Sequence, residues 1–240
     1  DIIVSEITMY EDDPMWVGYY QMLECMYGKH PIRNRIAGTA ETVAEITEKT
    51  LQKAYACYYT TDEMALVCAG DIPLGEVRRM AERVARRETA ARVYFPTEDA
   101  EIAEKYRACE MRLSVPQFQI GCKLPPLPKQ DWLKKRMAAG FCMELLAGES
   151  SVFFQKAYEW DWLDEALGSA FFCGEGYAFA AFSGSGTHPE ETADFLGREL
   201  ERLQREGFSQ EDFQRIRKKH LGQLLRQLDT PQKLCFGQLA

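Results

Sequence analysis

Histidine is scarce in this sequence. Its 240 residues include three, His30, His188 and His220. No two of them stand four apart, so no single helix turn presents two imidazoles to one metal ion. Cysteine is not scarce, at eight, but no C-x-x-C pair occurs, which removes the thioredoxin-like motif and ordinary zinc-finger spacing. Phosphate-binding loops are missing as well. Neither "AGESS" (147–151) nor "FSGSGTH" (182–188) fits G-x-x-x-x-G-K-[ST] or a G-x-G-x-x-G after a strand, so nucleotide binding has no support. Ser183 and Ser185 lack His and Asp companions at a readable spacing, which leaves a serine hydrolase unsupported. A basic surface is lacking too. The formal charge of −8 opposes nucleic-acid phosphates and anionic lipid as partners. No uninterrupted apolar run reads as long enough to span a bilayer. Neither nucleic acid nor membrane is therefore expected as a partner.

What is present is core material: 46% hydrophobic and 12% aromatic residues, enough for a folded chain with a sizeable interior. Cys25, Cys57, Cys68, Cys109, Cys122, Cys142, Cys173 and Cys235 lie mostly in apolar runs such as "MALVCAG" and "FQIGCKL". They read as reduced, buried thiols of a cytoplasmic protein.

Residues 1–29 carry a helical pattern with a break at Pro14. In it Trp16, Tyr19, Tyr20, Leu23 and Met26 follow i, i+3, i+4, i+7 spacing and form one apolar face. "GKHPIRNRIAG" is a loop, and Thr39 and Thr47 are candidate N-caps of two helices. The unbroken apolar run Ala65–Ala69, bounded by Gly70 and Pro73, suits a buried strand. A helix over 74–88 turns Leu74, Val77, Met80 and Val84 inward. Residues 89–104 are polar and aperiodic, and read as a linker. Then come two strands, "YRACEMRLS" and "QFQIGCKLP", a helix over Trp132–Leu146 ended by Gly148, and a second helix, "VFFQKAYEW", capped by Ser150 or Ser151. A tight hairpin of "EALGSAFFCG" and "YAFAAFSGSG" follows, then helices over His188–Glu206 and Ser209–Leu228. Hairpins alternating with helices imply an α+β fold, with an antiparallel or mixed sheet and helices packed on one face. The chain divides into 1–88, the back end of one unit; 89–104, the linker; and 105–240, most of a second, related unit.

Several polar features have plain readings. Glu11–Asp13 is an exposed helix end before Pro14. His30 with Pro31 is a structural turn where a helix C-terminus welcomes a partly charged imidazole. His220 sits in a Lys-rich, exposed helix. The aromatic stretches "VFFQKAYEWDW" and "AFFCGEGYAFAAF" are core, with edge-strand pairing to an extended peptide as a further use.

"SEITMYEDDPMW", then "HPIRNRIAGTAETVAEIT", then "CYYTTDEMALVCAGD" resembles the inverted zinc peptidases, or inverzincins: pitrilysin, insulinase and the mitochondrial processing peptidase. The likeness is strongest to the bacterial two-repeat, processing-peptidase-like members. It continues through "VPQFQIGCKLPP", "ELLAGESSVFFQKAYEWDWLDEA", "GYAFAAFSGSG" and "FSQEDFQRIRKKHLGQLLRQLDTP", and so covers essentially the whole chain.

The resemblance implies a LuxS/processing-peptidase-like metallohydrolase fold of two homologous repeats, the first truncated. It implies zinc held by two His of an H-x-x-E-H helix and by a Glu on a later helix, with the fourth position left for water. Glu6 stands at the place of that distal Glu and is the one metal-site residue expected. H-x-x-E-H is absent from these 240 residues, so no catalytic residue is expected within them. By this resemblance the chain is a fragment of a metalloendopeptidase, inactive alone. Zinc belongs to the parent protein and is not held tightly by the fragment. A peptide is the substrate, and a homologous second subunit or an identical copy is the partner. The alternative is a noncatalytic homologous subunit that shapes the chamber or binds peptide for an active partner.

Overall fold

The computed structural model describes residues 2–84, 94–227 and 229–239. In chain order the elements are α1 (Ile2–Asp12), α2 (Pro14–Met26), α3 (Ala40–Ala44), α4 (Glu48–Tyr58), α5 (Leu74–Glu82), β1 (Gln117–Leu124), α6 (Trp132–Ala147), α7 (Val152–Glu159), β2 (Gly168–Gly174), β3 (Tyr177–Ser185), α8 (Pro189–Glu206), α9 (Gln210–Gln227) and α10 (Pro231–Leu239). Short 3₁₀ turns cover Pro31–Arg33 and Lys129–Asp131. The chain gathers into two compact units. One joins Asp1–Val43 to Phe95–Ile216, the other Ala44–Tyr94 to Arg217–Ala240.

The first unit is built on a three-stranded sheet of order β1-β3-β2, antiparallel throughout. Gly121 pairs with Ala181 and Phe171 with Ala180. Strand alternation then sends side chains to two different cores. Phe179 and Ala181 join Met22, Leu23, Met26 and Tyr27 from α2. On the other face Phe182 joins Met143, Leu146, Phe153, Ala157, Phe195 and Leu196 from α6, α7 and α8. The expected α+β class holds. The expected helical layer is α6–α8, and α2 adds a second layer across the sheet. Gly121 lets α2 come close, since a Cβ there would stand 2.6 Å from Met26 Sδ. The Tyr27 hydroxyl fastens the same contact by donating to the Ala178 carbonyl at 3.0 Å.

Helix boundaries follow local chemistry. Asp13 ends α1 and caps α2, its Oδ1 accepting from Met15 N at 2.8 Å and Trp16 N at 3.3 Å. Pro14 takes the first helical position, where a missing N–H costs nothing. Ser151 caps α7 by accepting from Phe154 N. Thr39 and Thr47 accept from the N–H groups of Thr42 and Thr50, as their sequence positions suggested.

Other expectations need correction. Ala65–Ala69 is not a strand, and Leu66 is 63% exposed. A strand needs the backbone groups of a neighbour, and among the described residues none pairs with this run. "YRACEMRLS" likewise forms no strand among the described residues. Leu74, Met80 and Val84, expected to face inward, are all exposed. The last residues of that expected helix, 85–88, lie outside the described residues, as do 89–93 of the linker and Leu228. α10 is an addition that the sequence pattern did not suggest. Finally, the segment Lys129–Glu159 is long and apolar enough, by length and composition, to cross a membrane. It is two helices separated at Gly148–Ser151, and its Met143, Leu146, Ala147, Phe153 and Ala157 enter the core.

Candidate functional site around Glu6

On α1, Ile3, Glu6, Ile7 and Tyr10 fall at i, i+3, i+4, i+7 and form one stripe. Ile7 is buried and anchors the helix, while Glu6 stays exposed. The Tyr10 hydroxyl donates to Glu6 Oε1 at 3.1 Å. That hydrogen bond, and then the carboxylate's charge, raise the Tyr10 phenol above its ordinary pKa. Tyr10 stands edge-on to Trp16, with ring centroids 5.5 Å apart, and Trp16 stacks on Tyr20 at 6.0 Å.

These groups border a cleft of about 430 Å³ whose remaining wall is the turn Arg35–Gly38. Arg35 is held by Glu11 at 3.2 Å and lies over the Tyr20 ring. The Ile36 N–H donates to the Tyr20 hydroxyl at 3.3 Å. Gly38 has φ 73, a conformation that glycine adopts without strain. The cleft therefore offers a carboxylate and a phenol at one rim, a guanidinium at the other, and aromatic surface between them.

A catalytic zinc site needs three convergent protein ligands and an open position. Among the described residues no three His, Cys, Asp or Glu side chains cluster in a way that could hold a metal. Glu6 brings one carboxylate, which accepts a hydrogen bond from the Tyr10 hydroxyl. The residues of this chain do not by themselves fit the metal.

The other polar residues singled out from the sequence have structural placements. Glu11 holds Arg35, and Asp13 is the α2 cap. His188 precedes α8, stacks on Trp162 and shares a hydrogen bond with Thr187. Ser183 lies on β3, and Ser150 is held by Arg215. His220, expected to be exposed, is half-buried.

His30 makes the expected structural turn, capping Pro31–Arg33, and does so from the interior, 1% exposed. Its Nδ1 accepts from the Ile32 N–H at 3.1 Å, so the ring proton sits on Nε2, which donates to the Glu175 carbonyl at 3.0 Å.

Sequence reasoning missed Glu98 altogether. Its carboxylate accepts from three consecutive backbone N–H groups, those of Gly28 (2.9 Å), Lys29 (2.9 Å) and His30 (2.7 Å). It also pairs with Lys123 Nζ at 3.2 Å, and the two side chains are 5% and 7% exposed. Burial pushes this carboxyl up, but the three amides and the Lys123 ammonium outweigh it and hold it down at about 2. Nothing local marks Glu98, one acid in a polar aperiodic stretch. Its amide partners come from chain about 70 residues earlier, and Lys123 from 25 residues later.

Comparison with known proteins places this helix-flanked antiparallel sheet, with its exposed glutamate over an aromatic cleft, in a family. Residues 45–219 match the family model described as "Peptidase M16 inactive domain". The chain belongs to the peptidase M16 family. It is 29% identical, over 98% of its length, to the uncharacterized zinc protease YmfH of Bacillus subtilis, of which it spans 56%. It is 33% identical to the uncharacterized zinc protease YmxG of the same organism over 72 residues, 30% of this chain and 18% of that protein. A protein described as an M16-like peptidase from Alicyclobacillus acidocaldarius superposes with a TM-score of 0.89 at 27% identity, covering 98% of this chain and 57% of that one. A protease from Helicobacter pylori shares the fold, with a TM-score of 0.78 at 14% identity over 97% of this chain and 58% of that one. The chain thus spans little more than half of the long relatives it matches.

Proposed function

We propose that these residues are the distal-carboxylate part of a zinc-dependent metalloendopeptidase, with Glu6 as the third protein ligand of its zinc. One observation carries the reading: Glu6 is exposed at the rim of an aromatic cleft, oriented by Tyr10 and not absorbed into an ion pair among the described residues. The names of the curated relatives support the chemistry. Two histidines and a general base, supplied by polypeptide other than these 240 residues, complete the set. A zinc ion held by Glu6 together with those ligands would supply a polarised water for hydrolysis of a peptide bond. On this reading 1–88 is the back of the zinc-bearing repeat, 89–104 the linker, and 105–240 most of a metal-free repeat. The protein is cytoplasmic and works with a homologous subunit or a second copy around a peptide substrate.

The test uses the full-length parent beside its Glu6→Gln variant, with bound zinc quantified and cleavage of a quenched peptide followed. The reading expects about one zinc per chain, lost together with cleavage in the variant. A variant that keeps both its zinc and its activity removes Glu6 from the ligand set.

The description of the matching family model as an inactive domain favours a second reading. In it the parent is a noncatalytic homologue that shapes the chamber or binds peptide for an active partner. A parent with neither zinc nor cleavage, regaining cleavage when a homologous subunit is added, is the outcome that reading expects.

A further inference from the structure

The stretch that reads in the sequence as a spacer is fastened at several points. Phe95 stacks on the His30 ring, centroids 5.2 Å apart and planes 7° from parallel. Glu98 is buried against the amides of residues 28–30 and against Lys123. The Glu104 N–H donates to the Cys25 carbonyl at 2.9 Å. Arg107 bridges Glu24 and Glu104, each at 2.6 Å. Lys123 Nζ adds a hydrogen bond to the Glu101 carbonyl at 2.8 Å. A passive linker would expose its backbone to water and leave its charges solvated.

These fastenings converge on one point. His30 caps the 3₁₀ turn Pro31–Arg33, and that turn leads within a few residues to Arg35–Gly38, the wall of the Glu6 cleft. On its far side His30 is held by the β2–β3 hairpin, through the Glu175 carbonyl. A Cβ on Gly176 would stand 3.2 Å from the imidazole. The wall's own ties to the helices are weaker. The Arg35–Glu11 pair is solvent-accessible, its side chains 31% and 50% exposed, and exposed pairs contribute little. Buried, charge-assisted hydrogen bonds to Glu98 are the stronger restraint.

We propose that residues 95–107 form a strap that positions the Glu6 cleft, with Glu98 and His30 as positioning residues that hold the 31–38 loop in place. The segment that reads in the sequence as a linker thereby sets the shape of the wall opposite Glu6. The proposal deepens the peptidase reading and rests on it only for what the cleft binds.

Amide hydrogen exchange of the full-length protein tests the strap without zinc or activity. In Glu98→Gln, exchange at residues 35–38 is expected to quicken at least about tenfold together with residues 28–30, while β3 and α8 keep their rates, as selective local opening requires. Faster exchange confined to 28–30 and 95–104, with 35–38 unchanged, overturns the proposal. Should Glu98→Gln loosen β3 as well, Phe95→Leu decides by the same criterion, because it removes only the ring stacked on His30. A second readout separates positioning from general weakening. In the active parent, Glu98→Gln is expected to raise KM about fivefold with kcat and zinc content unchanged. A fall in kcat at unchanged KM counts against the strap. Because exchange is read without zinc or cleavage, the strap and the peptidase reading succeed or fail separately.

Discussion

α2 and α5 carry the same kind of signal in the sequence and meet different fates. Each has apolar residues at helical spacing. On α2, Leu23 is 1% exposed and Met26 3%; on α5, Leu74 is 71% exposed and Met80 64%. The difference lies in what stands opposite. α2 faces Phe179 and Ala181 on a formed sheet, whereas the strand-like run before α5 joins no sheet among the described residues. A hydrophobic period selects which face of a helix is to be covered; burial needs a second layer to cover it.

Core truncation is the strongest way to break that contrast. Phe179 is fully buried and belongs to the cluster under α2. Phe179→Ala is expected to cost roughly 3–5 kcal/mol, by lost transfer and a residual cavity. Met80→Ala on α5 is expected to stay within about 0.5 kcal/mol, as surface changes do. Urea unfolding of both variants beside the parent chain measures the pair. Similar costs at the two positions would show that α5 is packed after all.

Acid sharpens the comparison next, because the first unit holds a buried carboxylate whose titration is distinctive. Glu98 has a folded pKa of about 2 against an ordinary 4.5. A depressed carboxylate stabilises the fold above its unfolded value and loses that contribution as pH falls through the folded one. The contribution is therefore whole above pH 4.5 and disappears between 4.5 and about 2. Its size is roughly 3 kcal/mol at the usual conversion of one pKa unit. The difference in stability between the wild type and Glu98→Gln, measured from pH 7 down to 2, should shrink across that window. A difference that stays constant with pH would assign the acid sensitivity to other carboxylates.

How much of this was legible depends on how local its cause is. α1 and α2 were visible because Pro14 and the Trp16–Met26 stripe are written in consecutive residues. The Thr39 and Thr47 caps and the β2–β3 hairpin were visible for the same reason. Ala65–Ala69 was misread because apolar composition shows that a segment can be a strand but not that a partner exists. Glu6 was picked out by resemblance and not by spacing, since a lone helical carboxylate carries no signal. The turn at His30 was legible because its cap is local; its burial was not, since Phe95, Glu175 and Tyr177 around the ring are all distant in sequence. Glu98 was missed because its meaning lies in three amides of one distant segment and the Lys123 ammonium of another.

A smaller effect separates the units through their tyrosines. Tyr27 donates to the Ala178 carbonyl from a buried position, whereas Tyr58 on α4 is 60% exposed. Tyr27→Phe is expected to cost about 1–2 kcal/mol, the loss of a buried hydrogen bond with its acceptor left behind. Tyr58→Phe should change stability by less than about 0.5 kcal/mol. Equal losses would mean that the Tyr27 bond adds nothing beyond ring packing.

The smallest effect is a gain, and it sits where the well-packed first unit carries a local cost. α7 ends in a Schellman arrangement. The Trp162 N–H donates to the Ala157 carbonyl at 2.9 Å and the Asp161 N–H to the Tyr158 carbonyl at 3.0 Å. The geometry requires a left-handed residue between them, and Asp161 supplies it with φ 59. Aspartate tolerates that region better than most side chains, but only glycine enters it without a steric penalty. Asp161→Gly relieves that penalty and concedes part of the gain to the greater freedom of an unfolded glycine. The net expectation is a stabilisation of about 0.5 kcal/mol. Asp161→Ala keeps the Cβ without the polar side chain and should be slightly less stable than wild type. Thermal unfolding of the two variants gives the order. If alanine matched glycine, the left-handed turn would not be what limits the end of α7, and its cost would have to lie in the packing of Trp160 and Trp162 against Phe195.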